Sequence, residues 1–180
     1  MTRTLSKLGL AVLLLLPCFG AKAQEFIGRY SGNNEVGALN AESGAILSGG
    51  QATVELTLDR GAKTLTFKLT YSGLSSPVTQ AHIHFGKMHV PGGIMVFFCS
   101  NLPNAPSGTQ ACPADGGTVS GTLTAADVQA IAGQNVPAGD FDAVINALLS
   151  DTAYGNIHTV HFPAGEIRAE IRAREREDGF

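Results

Sequence analysis

The segment ATVELTLDRGAKTLTFKLTY, residues 52–71, constrains the fold more than any other part of the chain. Val54, Leu56 and Leu58 alternate with polar residues, and Leu65, Phe67, Leu69 and Tyr71 resume the alternation after the turn residues DRGAK. Successive side chains of a strand point to opposite faces, so this period of two gives two strands with one apolar and one polar face, joined as an antiparallel hairpin. A lone hairpin is marginal in water, and its apolar face needs a second layer. Further strands are expected at Phe26 to Tyr30, Gln80 to Phe85, Ile94 to Phe98, Thr118 to Leu123, Tyr154 to Thr159 and Glu166 to Ala173, divided by Gly, Pro, Asn and Ser clusters. Many short strands with such turns predict an all-β domain, an antiparallel sandwich or barrel. Two short helices are expected in the connections. Thr124 is placed to cap Ala125 to Ala132, with Asp127 in its first turn. Asp140 is placed to start Phe141 to Leu149, whose Phe141, Val144, Ile145, Leu148 and Leu149 form one apolar stripe for packing on a sheet.

Residues 1–23 read as a secretory signal. Arg3 and Lys7 precede the apolar run Leu8 to Leu16, and Ala21-Lys22-Ala23 supplies a small-x-small cleavage site. That run falls short of the roughly 20 residues a membrane-spanning helix needs, so no transmembrane segment is expected. Pro17 before Cys18 argues against lipid attachment there. An exported protein, periplasmic or secreted, follows. Its single domain covers residues 24–172, and residues 173–180 form a charged flexible tail. Removal of the leader leaves nine of the twelve Lys and Arg against fifteen Asp and Glu, moving the net charge from -3 to -6. Nucleic acid is therefore a poor partner. Cys99 and Cys112 remain, an even pair that an oxidising compartment favours as a disulfide.

All five histidines fall in two short clusters, His82, His84 and His89 in AHIHFGKMH and His158 and His161 in NIHTVHF. On a strand, His82 and His84 project from one face, where two imidazoles can chelate one ion or simply meet solvent. His158 and His161 are three apart and precede Phe162-Pro163, which points to a strand end turning into a loop. His158 is the stronger candidate ligand of the two, and His89, beside Pro91-Gly92-Gly93, reads as a loop residue. Three or four imidazoles without thiolate or an obligatory carboxylate suit copper, and less well zinc, rather than calcium or magnesium. Met88 is a packing residue or an additional soft ligand for Cu(I). In GEIRAEIRA, Ile167, Ala169 and Ile171 form a buried face and Glu166, Arg168, Glu170 and Arg172 the opposite one. That polar face reads as a solvated ion-pair array, or else Glu166 orients a ligand imidazole from the second layer and Arg168 attracts an anion. The sequence has no G-x-S-x-G elbow, phosphate-binding Gly loop, H-E-x-x-H or EF-hand loop.

The motifs NNEV (Asn33 to Val36), AHIHFG (Ala81 to Gly86), GTLTAAD (Gly121 to Asp127) and YGNIHTVHFPAGEIRAEI (Tyr154 to Ile171) together resemble the CHRD domain, first described in chordin and common in exported bacterial proteins. The resemblance runs from about Phe26 to Arg172. It implies an antiparallel β-sandwich of Ig-like or Greek-key type, and it puts His82, His84 and His158 at recurring histidine positions with Glu166 and Arg168 in a G-E-I-R signature. His161 lies where the family pattern is looser. Where the family often has E-V-P-P, this chain has Glu35-Val36-Gly37-Ala38. His82, His84 and Gly86 also approach the H-x-H-x-x-G pattern of copper/zinc superoxide dismutases, with the glycine one residue early; this is analogy of site and architecture only.

Three functions are consistent with these residues. The first is a copper protein with superoxide dismutase-like activity, in which His82, His84, His158 and His161 hold the metal and Arg168 is the catalytic residue that draws in superoxide or another small redox molecule. The second is a non-catalytic interaction module. The third is a copper store or chaperone with a closed coordination sphere. The sequence leaves the oligomeric state open.

Overall fold

A computed structural model describes residues 23–36 and 44–175. Residues 1–22 of the expected leader, and residues 176–180 of the expected tail, lie outside the described residues. Among the described residues nine strands and one α-helix are formed: β1 (Gln24–Tyr30), β2 (Gln51–Asp59), β3 (Thr64–Ser72), β4 (Val78–Phe85), β5 (Gly93–Ser100), β6 (Gly117–Leu123), α1 (Phe141–Leu149), β7 (Ala153–Thr159), β8 (Ile167–Glu170) and β9 (Arg172–Ala173). They make two antiparallel sheets with strand orders β6-β3-β2-β1-β9 and β5-β4-β7-β8. This is the expected all-β sandwich.

The β2–β3 hairpin takes the register that its alternation dictates, with Val54 opposite Leu69, Leu56 opposite Phe67 and Leu58 opposite Leu65. Asp59 fixes the turn by accepting the Ala62 N–H at 2.8 Å, and Lys63 closes it at φ 51°. Leu58, Leu65 and Leu69 are fully buried, as are Ala81, Ile83, Ile157, Ile167 and Ala169 from the facing sheet. Each larger apolar side chain so buried contributes roughly 1.5–3 kcal/mol. A charge at Ile83, in the centre of that layer, would break the sandwich.

Three details differ from the sequence expectation. The helix expected over Ala125 to Ala132 is two single 3-10 turns, Ala125–Asp127 and Ala132–Gln134. The Asp127 carboxylate accepts from both the Thr124 N–H and its hydroxyl, after which Val128 turns extended and Gln129 N donates to Met95 O. α1 forms as expected, with the Asp140 carboxylate accepting the Ala143 N–H at 3.1 Å. The last strand, expected to be continuous, divides at Ile171. β8 pairs with β7 in the four-stranded sheet, and β9 pairs with β1 in the other. Ordered chain also continues past residue 172, since Arg174 N donates to Glu25 O and its guanidinium pairs with Glu25 and Glu55. The disulfide Cys99–Cys112 is formed.

The four-stranded sheet is buried on both faces. Its inner face carries the apolar core, whereas its outer face is polar and lies under three connecting segments, residues 31–36, 86–92 and 160–165.

Candidate metal centre

The strand registers assemble the outer face. In the β4–β7 pairing, Gln80 is opposite His158, His82 opposite Asn156 and His84 opposite Tyr154. In the β7–β8 pairing, Asn156 is opposite Arg168 and Tyr154 opposite Glu170. Alternation along three strands thus collects His82, His84, Tyr154, Asn156, His158, Arg168 and Glu170 on one surface. Irregularities in the β4–β5 register on either side of the pair His82 and Ile83 fall at the same place.

His82, His84 and His158 converge, with one ligand nitrogen from each lying within 4.8 Å of the others. Among the described residues no other group of three His, Cys, Asp or Glu does so. The ring of His82 stands 4.6 Å from those of both His84 and His158, and 5.2 Å from Phe97. Exposure is 0% for His82, 9% for His84 and 7% for His158, so water has little access. Burial accordingly keeps all three imidazoles neutral. It lowers the pKa of His84 to about 4 and that of His82 well below the ordinary value, with the neighbouring histidines adding to the effect, and it lowers His158 as well.

Backbone carbonyls set two of the tautomers. His84 Nδ1 lies 2.8 Å from Gly92 O and His158 Nδ1 lies 2.9 Å from Pro163 O. A carbonyl oxygen only accepts, so each Nδ1 carries the single N–H of its neutral ring and each Nε2 presents a lone pair. Both Nε2 atoms face the side chain of Asn156, with Oδ1 at 3.2 Å from His84 and 2.6 Å from His158. Asn156 Nδ2 in turn donates to Glu35 Oε2 at 3.2 Å. Glu35 is 3% exposed, and burial raises its pKa against the opposing effects of the Val36 N–H, Asn156 and Arg168. Neither nitrogen of His82 has a hydrogen-bond partner among the described residues. An imidazole left unpartnered in the interior is costly, and a cation at the convergence point would satisfy one of its nitrogens. The residues present therefore fit a transition-metal ion.

A second tier supports this cluster. The Tyr154 ring stacks on His84 at 4.6 Å with an interplanar angle of 2°, and the Arg168 guanidinium lies 3.4 Å from the Tyr154 ring centroid. Arg168 Nη2 donates to Lys87 O, Val90 O and Glu170 Oε1 at 3.2, 3.3 and 3.2 Å. Gly92 N donates to the Tyr154 hydroxyl at 2.9 Å. The segment 86–92 is thereby fastened to His84, Tyr154 and Arg168.

The remaining residues singled out in the sequence lie elsewhere. His161 is exposed and does not join the three, because the chain turns after Thr159, with Thr159 N and Gly165 N both donating to Phe162 O. Glu166 is buried but has no imidazole among its partners. Its carboxylate accepts from Ser48 Oγ, Ser75 N, Ser75 Oγ and Thr159 Oγ1 at 2.6 to 2.9 Å. Burial acts to raise its pKa, but these hydrogen bonds outweigh that and hold it below the ordinary carboxylate value. Glu166 thus ties three connections together rather than orienting a ligand. Arg168 is on the expected face but buried. Met88 and His89 are exposed beside Asn34 and Glu170 around a surface cavity of about 370 Å³, apart from the histidine group.

Sequence reasoning missed Tyr154, Asn156 and Glu35. The first two share the period-two face of His158 and were accessible from that alternation. Glu35 was not, since it reaches the site from a connection.

A family model described as the CHRD domain matches residues 28–171. No curated protein and no solved structure matches the chain.

Proposed function

This chain belongs to the CHRD domain family, and on that premise we propose that it holds one transition-metal ion, copper in preference to zinc, on His82, His84 and His158. The observation that carries this reading is the convergence of three neutral, buried imidazoles within 4.8 Å, with no carboxylate or thiolate among the ligand atoms. Uncharged nitrogen donors suit copper and zinc and serve calcium and magnesium poorly. Copper, when bound, supplies a one-electron couple. The chain's own part is to fix the Nδ1–H tautomers through Gly92 O and Pro163 O, to aim the Nε2 lone pairs inward and to exclude water.

Retention of the ion, as in a store or delivery protein, is better supported than turnover of superoxide. A guanidinium that steers an anion must face its approach path. The Arg168 side chain is 1% exposed and donates to Glu170 and to two carbonyls of the segment above it. We place the protein outside the reducing cytosol, as a periplasmic or secreted chain. The Cys99–Cys112 disulfide and the leader-like N-terminal sequence support that assignment. Among the described residues no helix is long and apolar enough to cross a membrane.

The test is metal analysis of untagged protein exported to an oxidising compartment, beside a His82/His84/His158 triple alanine variant checked for folding by circular dichroism. Near-stoichiometric copper, lost in the variant, is expected. Zinc in its place would overturn the choice of metal, and no metal after copper loading would overturn the site. Mixing the Cu(II) protein with superoxide in a stopped-flow instrument should leave its visible band unchanged. Rapid bleaching would reinstate turnover.

A further inference from the structure

We infer that Asn156 Oδ1 is the fourth donor to the ion held by His82, His84 and His158, and that Glu35 is the positioning residue that turns the amide oxygen toward it. This deepens the metal-binding reading and rests on it. The argument begins from hydrogen-bond accounting. The single N–H of His84 and that of His158 are directed at Gly92 O and Pro163 O, so no hydrogen lies between either Nε2 and Asn156 Oδ1. Yet those atoms are only 3.2 and 2.6 Å apart. Two nitrogen lone pairs and an amide oxygen meet at one buried point beside His82, whose own nitrogens have no partner among the described residues. Lone pairs brought together without a proton repel one another, and a shared cation removes the repulsion. Donors about 2.1 Å from one ion at tetrahedral angles lie roughly 3.4 Å from each other, close to the 3.2 Å between His84 Nε2 and Asn156 Oδ1, whereas the 2.6 Å contact to His158 Nε2 would open slightly on binding.

Reversing the amide would place its NH₂ group on the imidazoles, but it would also bring Oδ1 against Glu35 Oε2, acceptor against acceptor. Glu35 instead accepts from Asn156 Nδ2 at 3.2 Å and is held in place by the Val36 N–H at 3.1 Å. Gly165 leaves the room that this contact needs, since a Cβ there would stand 2.6 Å from Glu35 Oε2 and collide with the Asn156 amide. Three nitrogens and one oxygen close a four-coordinate site, which accords with retention of the ion.

Cobalt(II) is the probe, because its visible absorption reports coordination number whether the resident metal is copper or zinc. The wild-type protein should give the intense bands of four-coordinate cobalt and bind it at least tenfold more tightly than Asn156→Leu, whose bands should weaken as water enters. Asn156→Asp keeps an oxygen donor and should keep the intense bands, shifted by its charge. Glu35→Gln keeps an acceptor for Nδ2 and should behave as wild type, whereas Glu35→Leu should behave as Asn156→Leu. Equal affinity and an unchanged spectrum in Asn156→Leu would overturn the fourth donor. Should that variant fail to fold, an unshifted spectrum in Asn156→Asp would do the same. Equal behaviour of the two Glu35 variants would overturn the positioning role. Absence of cobalt and copper binding by the wild type would instead be a failure of the histidine site itself.

Discussion

Acid should unfold the metal-free protein through its histidines before most carboxylates titrate. The pKa of His84 falls from an ordinary 6.5 to about 4 in the folded chain. The unfolded chain therefore binds the proton first, and stability present above pH 6.5 is lost as pH falls toward 4. A shift of that size corresponds to about 3 kcal/mol from His84 alone. His82 and His158 are lowered for the same reason, burial, and act with the same sign. If all three titrate together in the unfolded state, the slope reaches about 4 kcal/mol per pH unit. Glu35 works against this, since its raised pKa gives a contribution present at low pH and lost as pH rises through the folded value. Against a total stability of about 5–15 kcal/mol, the histidine effect decides the acid midpoint. The assay is urea unfolding followed by circular dichroism between pH 7.5 and 4.5 in the presence of a chelator; the chain has no Trp. His82→Leu removes one of the three protons and should reduce the slope by about a third. A stability that stays flat from pH 7 to 5, or a slope unaltered by that substitution, would refute the reasoning.

Replacing Cys99 and Cys112 by Ser, 13 residues apart, should cost about 3 kcal/mol by the chain-entropy model, read as a lower urea midpoint without loss of metal binding. Glu166→Gln weakens the charge-assisted bonds from Ser48, Ser75 and Thr159 and should destabilise by about 1–3 kcal/mol in a thermal scan while leaving the metal content unchanged. Arg168→Met leaves Glu170 and two carbonyls without their partner and should cost about 3–5 kcal/mol, measured the same way. Gly155→Ala drives a methyl group into the buried Tyr30 hydroxyl and should lower the midpoint by about 1–3 kcal/mol, with Tyr30→Phe partly restoring it.

The apolar layer was legible in the sequence because period two specifies a face. Leu58 and Leu65 pair as their alternation requires, and Ile83 points away from His82 and His84 as expected. The same rule placed both imidazoles of the first cluster on one surface. What it does not contain is whether a connection covers that surface. Glu166 and Arg168 were read as members of a polar face open to solvent or serving the site, yet both are fully buried, because segments from elsewhere in the chain lie over them. The division of the last strand at Ile171 was invisible for a related reason. Alternation continues unbroken through GEIRAEIRA while the hydrogen-bond partners change from β7 to β1. His161 shows the limit of spacing within a turn. Three residues from His158 suffice to reach one ion only when the backbone bends the right way, and here it bends around Phe162 O.

The cover over the outer face is fastened by polar contacts, among them the backbone pair of Ser31 with Arg168, Gly92 to His84 and Tyr154, Pro163 to His158, Lys87 and Val90 to Arg168, and Glu35 to Asn156. The two sheets, by contrast, are joined through an extensive apolar layer. Sub-global opening of such a cover takes less free energy than parting the sandwich. An ion beneath it would exchange by fraying of these segments while the strands stay paired, so its residence time would follow the cover rather than the strand pairing. Substitutions in 86–92 or 160–165 can then change how long an ion stays without touching the residues that hold the fold.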